Sequence, residues 1–162
     1  MEVLIQQYQF ADRPQLIELL AILQDFAVNI DPLRRLRRLP GWGQAYTEAL
    51  LRRIGDSSGV VYLAKQGQDA LGCVAGIMED QRVDDLLGMI PSKAGRILEL
   101  VVREAYRGQG IGSVLIEKIE NYFRLNGCDI VRVEVFGPNT DAREFYTRAL
   151  YTDRTIDMVK RL

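Results

Sequence analysis

The sequence contains no histidine. This absence excludes Ser-His-Asp and Cys-His nucleophile systems, and it excludes every metal site that depends on an imidazole ligand. A general base in this chain must therefore be a carboxylate, a cysteine, a tyrosine, a lysine or water. Cysteine is scarce as well, because only Cys73 and Cys128 are present and their spacing is not that of a C-x-x-C motif. We expect both to be buried free thiols, with no disulfide and no metal site.

The chain also lacks a long apolar run and a large net charge. No apolar stretch reaches the roughly 18 residues of a membrane span, and no basic-then-apolar leader is present, so we expect a cytoplasmic protein without membrane contact. A formal net charge of −1 argues against nucleic-acid binding driven by bulk electrostatics. The 162 residues, of which 48% are hydrophobic, suit one globular domain spanning residues 1–162.

Charge is nevertheless concentrated in two segments. The first alternates arginine with leucine, at Leu33, Arg34, Arg35, Leu36, Arg37, Arg38 and Leu39. We expect a short amphipathic helix with solvated cations there. The alternative is that the arginines bind an acidic partner or the phosphates of a cofactor. The second segment is acidic, with Glu79, Asp80, Asp84 and Asp85. It falls in a predicted loop over residues 79–95, whose length favours a functional role.

Periodicity and turn signals divide the N-terminal half into a strand, two helical regions and a hairpin. They predict a strand at residues 2–8 and then a helix that begins at Asp12 and Pro14. A helical region follows at residues 31–54, interrupted at 40–43. Strands are predicted at residues 60–64 and 70–78, joined by a turn at 67–69. The hairpin follows from the short turn, because two strands so closely connected pair with each other.

A glycine-rich turn at residues 107–112 lies between a predicted strand and a predicted helix. The strand covers residues 96–103, and the helix shows apolar residues at helical spacing from Ile111 to Tyr122. The first backbone N–H groups of a helix have no partner within it, and the helix dipole adds positive charge there. Such a turn therefore favours phosphate binding, with the glycines allowing close approach.

The C-terminal part predicts a strand, a helix and a last strand. Residues 129–136 alternate apolar and charged side chains, and residues 154–160 alternate in the same way as an edge or final strand. Between them, Asn139 occupies the position of a helix N-cap. The helix that it begins carries Ala142, Phe145 and Tyr146.

These two motifs resemble the GNAT superfamily of N-acetyltransferases. Residues 107–112 match the family's acetyl-CoA signature R/Q-x-x-G-x-G/A, and residues 139–146 are similar to its second block, N-x-x-A-x-x-F-Y. The resemblance extends from about residue 60 to the end, and before that it is topological. Two positions depart from the family pattern: Glu104 replaces a proline, and Leu150-Tyr151 replaces a glycine followed by an aromatic residue.

The resemblance implies an α+β fold, an α/β/α sandwich. Its central sheet is mixed and mostly antiparallel, with a splayed central strand pair and helices on both faces. The implied activity is acetyl transfer from acetyl-CoA to a primary amine of a small molecule or peptide, by direct attack in a ternary complex and without a metal. Homodimers are common among similar proteins. Acetyl-CoA would thus be the cosubstrate, its pantetheine arm in the gap between the splayed strands.

The resemblance also implies roles for individual residues. Those expected to bind acetyl-CoA are Leu100, Val101, Val102, Arg107, Gly108, Gln109, Gly110, Ile111, Gly112, Ser113, Asn139, Ala142 and Phe145. Tyr146 would donate a proton to the departing thiolate, and a backbone N–H near Val102 would meet the developing oxyanion. The base is left open between Glu99 and Glu134, either acting directly or through water.

Two other readings remain at this point. A dinucleotide-binding unit also has Gly-x-Gly after a strand, but Ser113 stands where a third glycine belongs and little chain follows. A non-catalytic acetyl-CoA sensor or partner-binding module would keep the glycines and be indifferent to Tyr146, Glu99 and Glu134. The acceptor stays open too, since the acidic segment favours a cationic amine and the arginines favour an acidic group.

Overall fold

The computed structural model describes residues 2–162, and in them five strands and four helices follow one another. They are β1 (Leu4–Gln7), α1 (Arg13–Ile30), α2 (Trp42–Asp56), β2 (Val60–Gln66), β3 (Asp69–Asp80), β4 (Lys93–Val102), α3 (Ile111–Leu125), β5 (Ile130–Val133) and α4 (Thr140–Arg148). Short 3-10 turns lie at Phe10–Asp12, Val83–Leu87 and Glu104–Tyr106. Among these residues, no helix is both long and apolar enough to cross a membrane.

The five strands form one sheet in the order β1-β2-β3-β4-β5. The first four are antiparallel, and β5 runs parallel to β4. The β4–β5 ladder extends only from the Ala94–Ile130 pair to the Ile97–Val133 pair, whereas β4 continues to Val102. The last five residues of β4 therefore have a strand on one side only. The predicted mixed, mostly antiparallel sheet is confirmed, and so is its splayed strand pair.

Helices cover both faces of the sheet, as the resemblance implies. On one face, the apolar residues of α1 and α2 pack on β3 and β4, with Leu16 and Leu19 fully buried. On the other face, α3 buries Leu115, Ile119 and Phe123, which are spaced four residues apart and therefore share one side of the helix. Tyr146 of α4 joins this second cluster.

The arginine–leucine segment is a loop, so the helix predicted there is wrong. The Asp31 carboxylate accepts hydrogen bonds from the backbone N–H groups of Leu33, Arg35 and Leu36, at 3.0, 2.6 and 2.9 Å. These donors bind a side chain, and the chain bends through a left-handed residue at Arg34. A carboxylate that accepts three nearby backbone donors stabilises a loop in competition with the helix.

Residues 154–160 form no strand in the described structure, and that prediction is wrong too. A strand needs a hydrogen-bonded neighbour, but this segment is attached outside the sheet at both ends. Arg143 of α4 forms an ion pair with Asp153, and the Arg161 guanidinium donates to the Leu33 carbonyl at 2.7 Å. Side-chain contacts therefore hold the segment away from the β5 edge.

Boundaries of three strands also differ from expectation. β3 extends to Asp80 and β4 begins at Lys93, because these two residues pair with each other. The long loop predicted over residues 79–95 is thereby shortened to residues 81–92. β5 ends at Val133, although the alternating pattern continues to residue 136. The pattern describes side-chain direction only, and the strand ends where its backbone partner on β4 is lost.

The packing of Phe123 on the sheet predicts a large cost for a side chain at Gly95. A Cβ atom there would overlap the Phe123 ring, which is fully buried. We expect Gly95→Ala to lower the free energy of unfolding by about 1–3 kcal/mol, measured by urea denaturation, because the core must shift to admit it. Gly55→Ala is the control: a Cβ at this α2 position meets nothing within 4 Å. Equal effects of the two substitutions would contradict the packing argument.

Candidate active site

The glycine-rich turn between β4 and α3 requires glycine for its backbone conformation. Gly108 and Gly110 have φ angles of +73° and +83°, in the left-handed region that other residues rarely adopt. Space is not the reason, because a Cβ at either position meets nothing within 4 Å. Gly112 differs, since a Cβ there would lie 3.3 Å from the Phe145 ring of α4. The turn therefore combines two glycines needed for φ with one needed for packing.

The turn presents a row of free backbone donors. Within residues 2–162, the N–H groups of residues 108–113 make no hydrogen bond to the protein, and the first bond of α3 runs from Val114 N–H to the Gly110 carbonyl at 3.1 Å. The positive end of the helix dipole lies at the same place. Unpaired donors at a helix start form an anion site, and the diphosphate of coenzyme A is an anion of suitable kind. The residues present thus fit the predicted cosubstrate.

Two side chains of the turn fold back on the chain that precedes it. The Arg107 guanidinium donates from Nε to the Val102 carbonyl at 3.0 Å and lies over the Phe26 ring of α1. Gln109 donates from Nε2 to the Ala105 carbonyl at 3.2 Å. Both side chains therefore stabilise the turn, while the N–H groups face outward.

The unpaired part of β4 presents backbone groups to the gap between β4 and β5. Arg103 donates its N–H to Leu71 on the β3 side, at 2.8 Å. Hydrogen-bonding direction alternates along a strand, so the N–H and C=O groups of Val102 and Leu100 point the other way, into the gap. Val101 faces β3 with its backbone, and its side chain is buried under α1 and α2. Of the three strand residues expected to bind acetyl-CoA, two thus have backbone groups in the gap.

The start of α4 brings its predicted residues to the start of α3. Asn139 caps α4, its Oδ1 accepting the Ala142 N–H at 3.1 Å. Phe145 and Tyr146 make an edge-to-face ring pair with centroids 5.3 Å apart, and Phe145 contacts the Gly112 position. Tyr146 is 7% exposed, and burial, assisted by the charge of Glu99, raises the pKa of its phenol. The Tyr146 phenol is therefore neutral and able to donate a proton, and it lies within range of the charge of Glu99.

Glu99 lies on β4, below α2, and is partly buried. Its carboxylate accepts a hydrogen bond from the Tyr46 hydroxyl of α2. Burial raises the pKa of Glu99, while the Tyr46 hydrogen bond and the charge of Arg53 oppose the rise. The Tyr46 ring stacks on Trp42, with centroids 4.6 Å apart. Neither Trp42 nor Tyr46 was identified as a site residue from the sequence. Their spacing of four places them on one face of a helix, and this pattern could have indicated them.

Glu134 follows the end of β5 in a different environment. Its side chain is 83% exposed and forms an ion pair with Arg96, at 2.9 Å. Arg96 also contacts Glu79, at 3.2 Å, as do Arg53 and Arg132 at 3.8 and 3.9 Å. The structure therefore brings Glu99, Tyr146 and the turn together around the gap, and it joins Glu134 to a network of surface charges.

A family comparison agrees with this geometry. The family model described as the acetyltransferase (GNAT) family matches residues 20–150 of this chain. The chain belongs to the GNAT acetyltransferase family. The matched range contains α2, the unpaired part of β4, the glycine-rich turn and Tyr146, so it includes every element of the site.

Individual relatives extend the comparison. An uncharacterized N-acetyltransferase of Methanocaldococcus jannaschii is 39% identical over 72 residues, which are 44% of this chain and 46% of the relative. The match thus spans less than half of that relative's length. A mutant of the BH1408 protein from Bacillus halodurans has a TM-score of 0.84 at 19% identity, covering 98% of this chain and 99% of that one. AAC(6')-Iy, solved with a bisubstrate analogue containing CoA, has a TM-score of 0.69 at 18% identity and full coverage of both chains. Both solved structures have the same fold as this chain.

The role of the glycine-rich turn in binding acetyl-CoA can be tested by substitution, with a matched control that separates lost binding from misfolding. We expect Gly110→Ala to weaken acetyl-CoA binding about tenfold or more in calorimetry, because a left-handed alanine costs about 1–2 kcal/mol and shifts the donor row. Gly127, after α3, has the same φ of +83° and equally open surroundings. Gly127→Ala should cost similar unfolding free energy with unchanged affinity. Equal loss of affinity in both variants would refute the donor row as the binding site.

Proposed function

We propose that residues 1–162 act as one acetyl-CoA-dependent N-acetyltransferase domain. The acetyl group is transferred to a primary amine of a small molecule or peptide, by direct attack of that amine in a ternary complex. The observation that carries the proposal is the set of unpaired N–H groups at residues 108–113, adjoining the open edge of β4. Acetyl-CoA supplies the activated acyl group when bound, and the chain orients it and moves the protons.

The turn and the open strand edge would hold the two ends of the cosubstrate. The donors of residues 108–113 suit the diphosphate, and the Leu100 and Val102 backbone groups suit the amides of the pantetheine arm. The Val102 N–H would then be the donor that meets the negative charge developing on the acetyl oxygen. A fixed backbone donor that meets this charge lowers the barrier to acyl transfer.

Glu99 is our candidate for the base. An alkylamine with a pKa near 10.4 is almost fully protonated at neutral pH, so the acceptor must lose a proton before it can attack. Glu99 is partly buried, its charge reaches Tyr146, and burial raises its pKa in the direction that a useful base requires. Glu134 is held by Arg96 at the surface, where accepting a proton would weaken an ion pair.

Tyr146 is our candidate for the acid. No hydrogen bond of the described residues reaches its hydroxyl, although the ring is buried. Its raised pKa keeps the phenol protonated at neutral pH, ready to donate to the departing thiolate. The protonated amine loses two protons over the reaction, one to Glu99 before attack and one from its nitrogen after attack. The second proton restores Tyr146 once the phenol has protonated the thiolate, and the first leaves Glu99 for solvent.

A thiol-release assay tests the proposal most directly. Purified protein is first titrated with acetyl-CoA in a calorimeter and then assayed against panels of amines, amino acids and peptides. We expect micromolar or tighter binding and acetyl-dependent thiol release with at least one class of acceptor. Binding without transfer to any acceptor would favour a non-catalytic acetyl-CoA sensor, and absence of binding would overturn the assignment.

The assignment of the acid predicts a defect in turnover alone. We expect Tyr146→Phe to lower kcat by about tenfold or more, because no other phenol replaces the proton donor, while acetyl-CoA affinity stays nearly unchanged. Tyr8→Phe is the control, since it removes a phenol hydroxyl on the opposite face of the sheet, among the residues packed under α1 and α2. Unchanged turnover in Tyr146→Phe would remove the acid from the mechanism.

The two glutamates predict unequal defects. We expect Glu99→Gln to lower kcat/KM by about 10²–10⁴-fold, the usual range for a general base, and Glu134→Gln to change it only a few-fold. The comparison is matched, because each change removes one charge and preserves shape. The reverse order, with the larger loss in Glu134→Gln, would transfer the role of base to Glu134.

A further inference from the structure

We propose that Tyr46 is a positioning residue, which holds Glu99 at the acceptor side of the gap and keeps it in the ionised form that can accept a proton. The inference rests on the proposed function, and it adds a residue from α2 that lies outside both sequence motifs. Its role is exerted through Glu99, so Tyr46 itself need not touch the acceptor. The geometry of the pair carries the argument.

Two contacts and the start of α2 fix the Tyr46 hydroxyl on Glu99. The hydroxyl donates to the Glu99 carboxylate, across 53 positions of sequence. The ring is held on its other side by Trp42, in a stack with an interplanar angle of 12°. Trp42 is the first residue of α2, which begins after a left-handed glycine at Gly41. The start of the helix therefore determines where the ring stacks, and the ring determines where the hydroxyl points.

Among residues 2–162, no other side-chain hydrogen bond orients the Glu99 carboxylate. The titratable and charged groups that face it are Tyr46 and Arg53 from α2, Tyr146 from α4 and Cys73 from β3. Cys73 is fully buried and Tyr146 bears its proton, so neither offsets the burial of the carboxylate. Arg53 is engaged at a distance, because its guanidinium contacts Glu79. Tyr46 is therefore the group in contact that stabilises the negative charge.

The Tyr46–Glu99 hydrogen bond is also compatible with proton transfer from the acceptor amine. A carboxylate that keeps one oxygen on Tyr46 has its second oxygen available for a proton from the amine. A phenol donor bonded to a carboxylate favours the ionised form, and it lowers the pKa that burial has raised. Without the phenol, only the more distant charge of Arg53 opposes the effect of burial, and Glu99 binds its own proton up to a higher pH. Protonated Glu99 cannot accept a second one, so transfer stops.

The test is the pH profile of Tyr46→Phe, which retains the ring and the Trp42 stack but removes the hydroxyl. We expect the acidic limb of kcat/KM to move to higher pH by about one unit or more, as expected for loss of one hydrogen bond to a charged group. A purely structural role would lower activity at every pH and leave the limb in place. That result would overturn the proposal.

A control and a second measurement separate this proposal from the function on which it rests. Tyr122→Phe also removes one phenol hydrogen bond, to the Ser58 carbonyl at 2.9 Å, and should leave the profile unshifted. Titration of ¹³C-labelled glutamate by NMR, without substrate, gives the Glu99 pKa directly, with Glu99→Gln identifying the signal. A higher pKa in Tyr46→Phe supports the pair even if no acceptor is acetylated. An unchanged pKa overturns it even in an active enzyme.

Discussion

The site depends on the loss of one strand partner. β4 and β5 are parallel and remain paired to Ile97 and Val133, and beyond that point β5 has ended. The chain turns away there, and the Asn139 N–H bonds the Phe136 carbonyl at 2.8 Å to begin α4. β4 continues with β3 on one side only, and the backbone donors and acceptors on its other edge have no strand partner. Unpaired backbone groups inside a fold are costly, so such a gap persists where water or a ligand completes the hydrogen bonds.

The two sequence motifs lie where the parted strands end. The glycine-rich turn follows β4 and begins α3, while Asn139 follows β5 and begins α4. The two helix starts touch, because the Phe145 ring lies against the Gly112 position. Phe145 is also the neighbour of Tyr146 in an edge-to-face pair. A side chain at residue 112 would thus displace Phe145, and the displacement would reach Tyr146. This packing therefore links the turn at residues 108–113 to the Tyr146 side chain.

The sequence could predict those features of the fold that depend on residues close together in the chain. The left-handed glycines, the Asn139 cap and the helical spacing of α3 each follow from residues within a few positions of one another. The splay of β4 and β5 came from the family resemblance. The errors arise where distant contacts override a local pattern. Asp31 captures three backbone donors and prevents the helix that the alternation of arginine and leucine favours. The Tyr46–Glu99 hydrogen bond joins residues 53 positions apart, so periodicity could not reveal it.

The contrast between the two glutamates shows how the environment divides one residue type into two roles. Glu134 is exposed, and together with Glu79 it balances three arginines, so its charge serves the network. Glu99 lies under α2 and feels Arg53 of that network only through its charge, because its hydrogen-bond donor is a phenol and not a guanidinium. A guanidinium in direct contact would hold the carboxylate ionised too firmly for it to accept a proton. A phenol stabilises the charge less, while burial acts in the opposite direction. In the proposed mechanism, the balance of these two effects would leave Glu99 ionised before the amine arrives and basic enough to accept its proton.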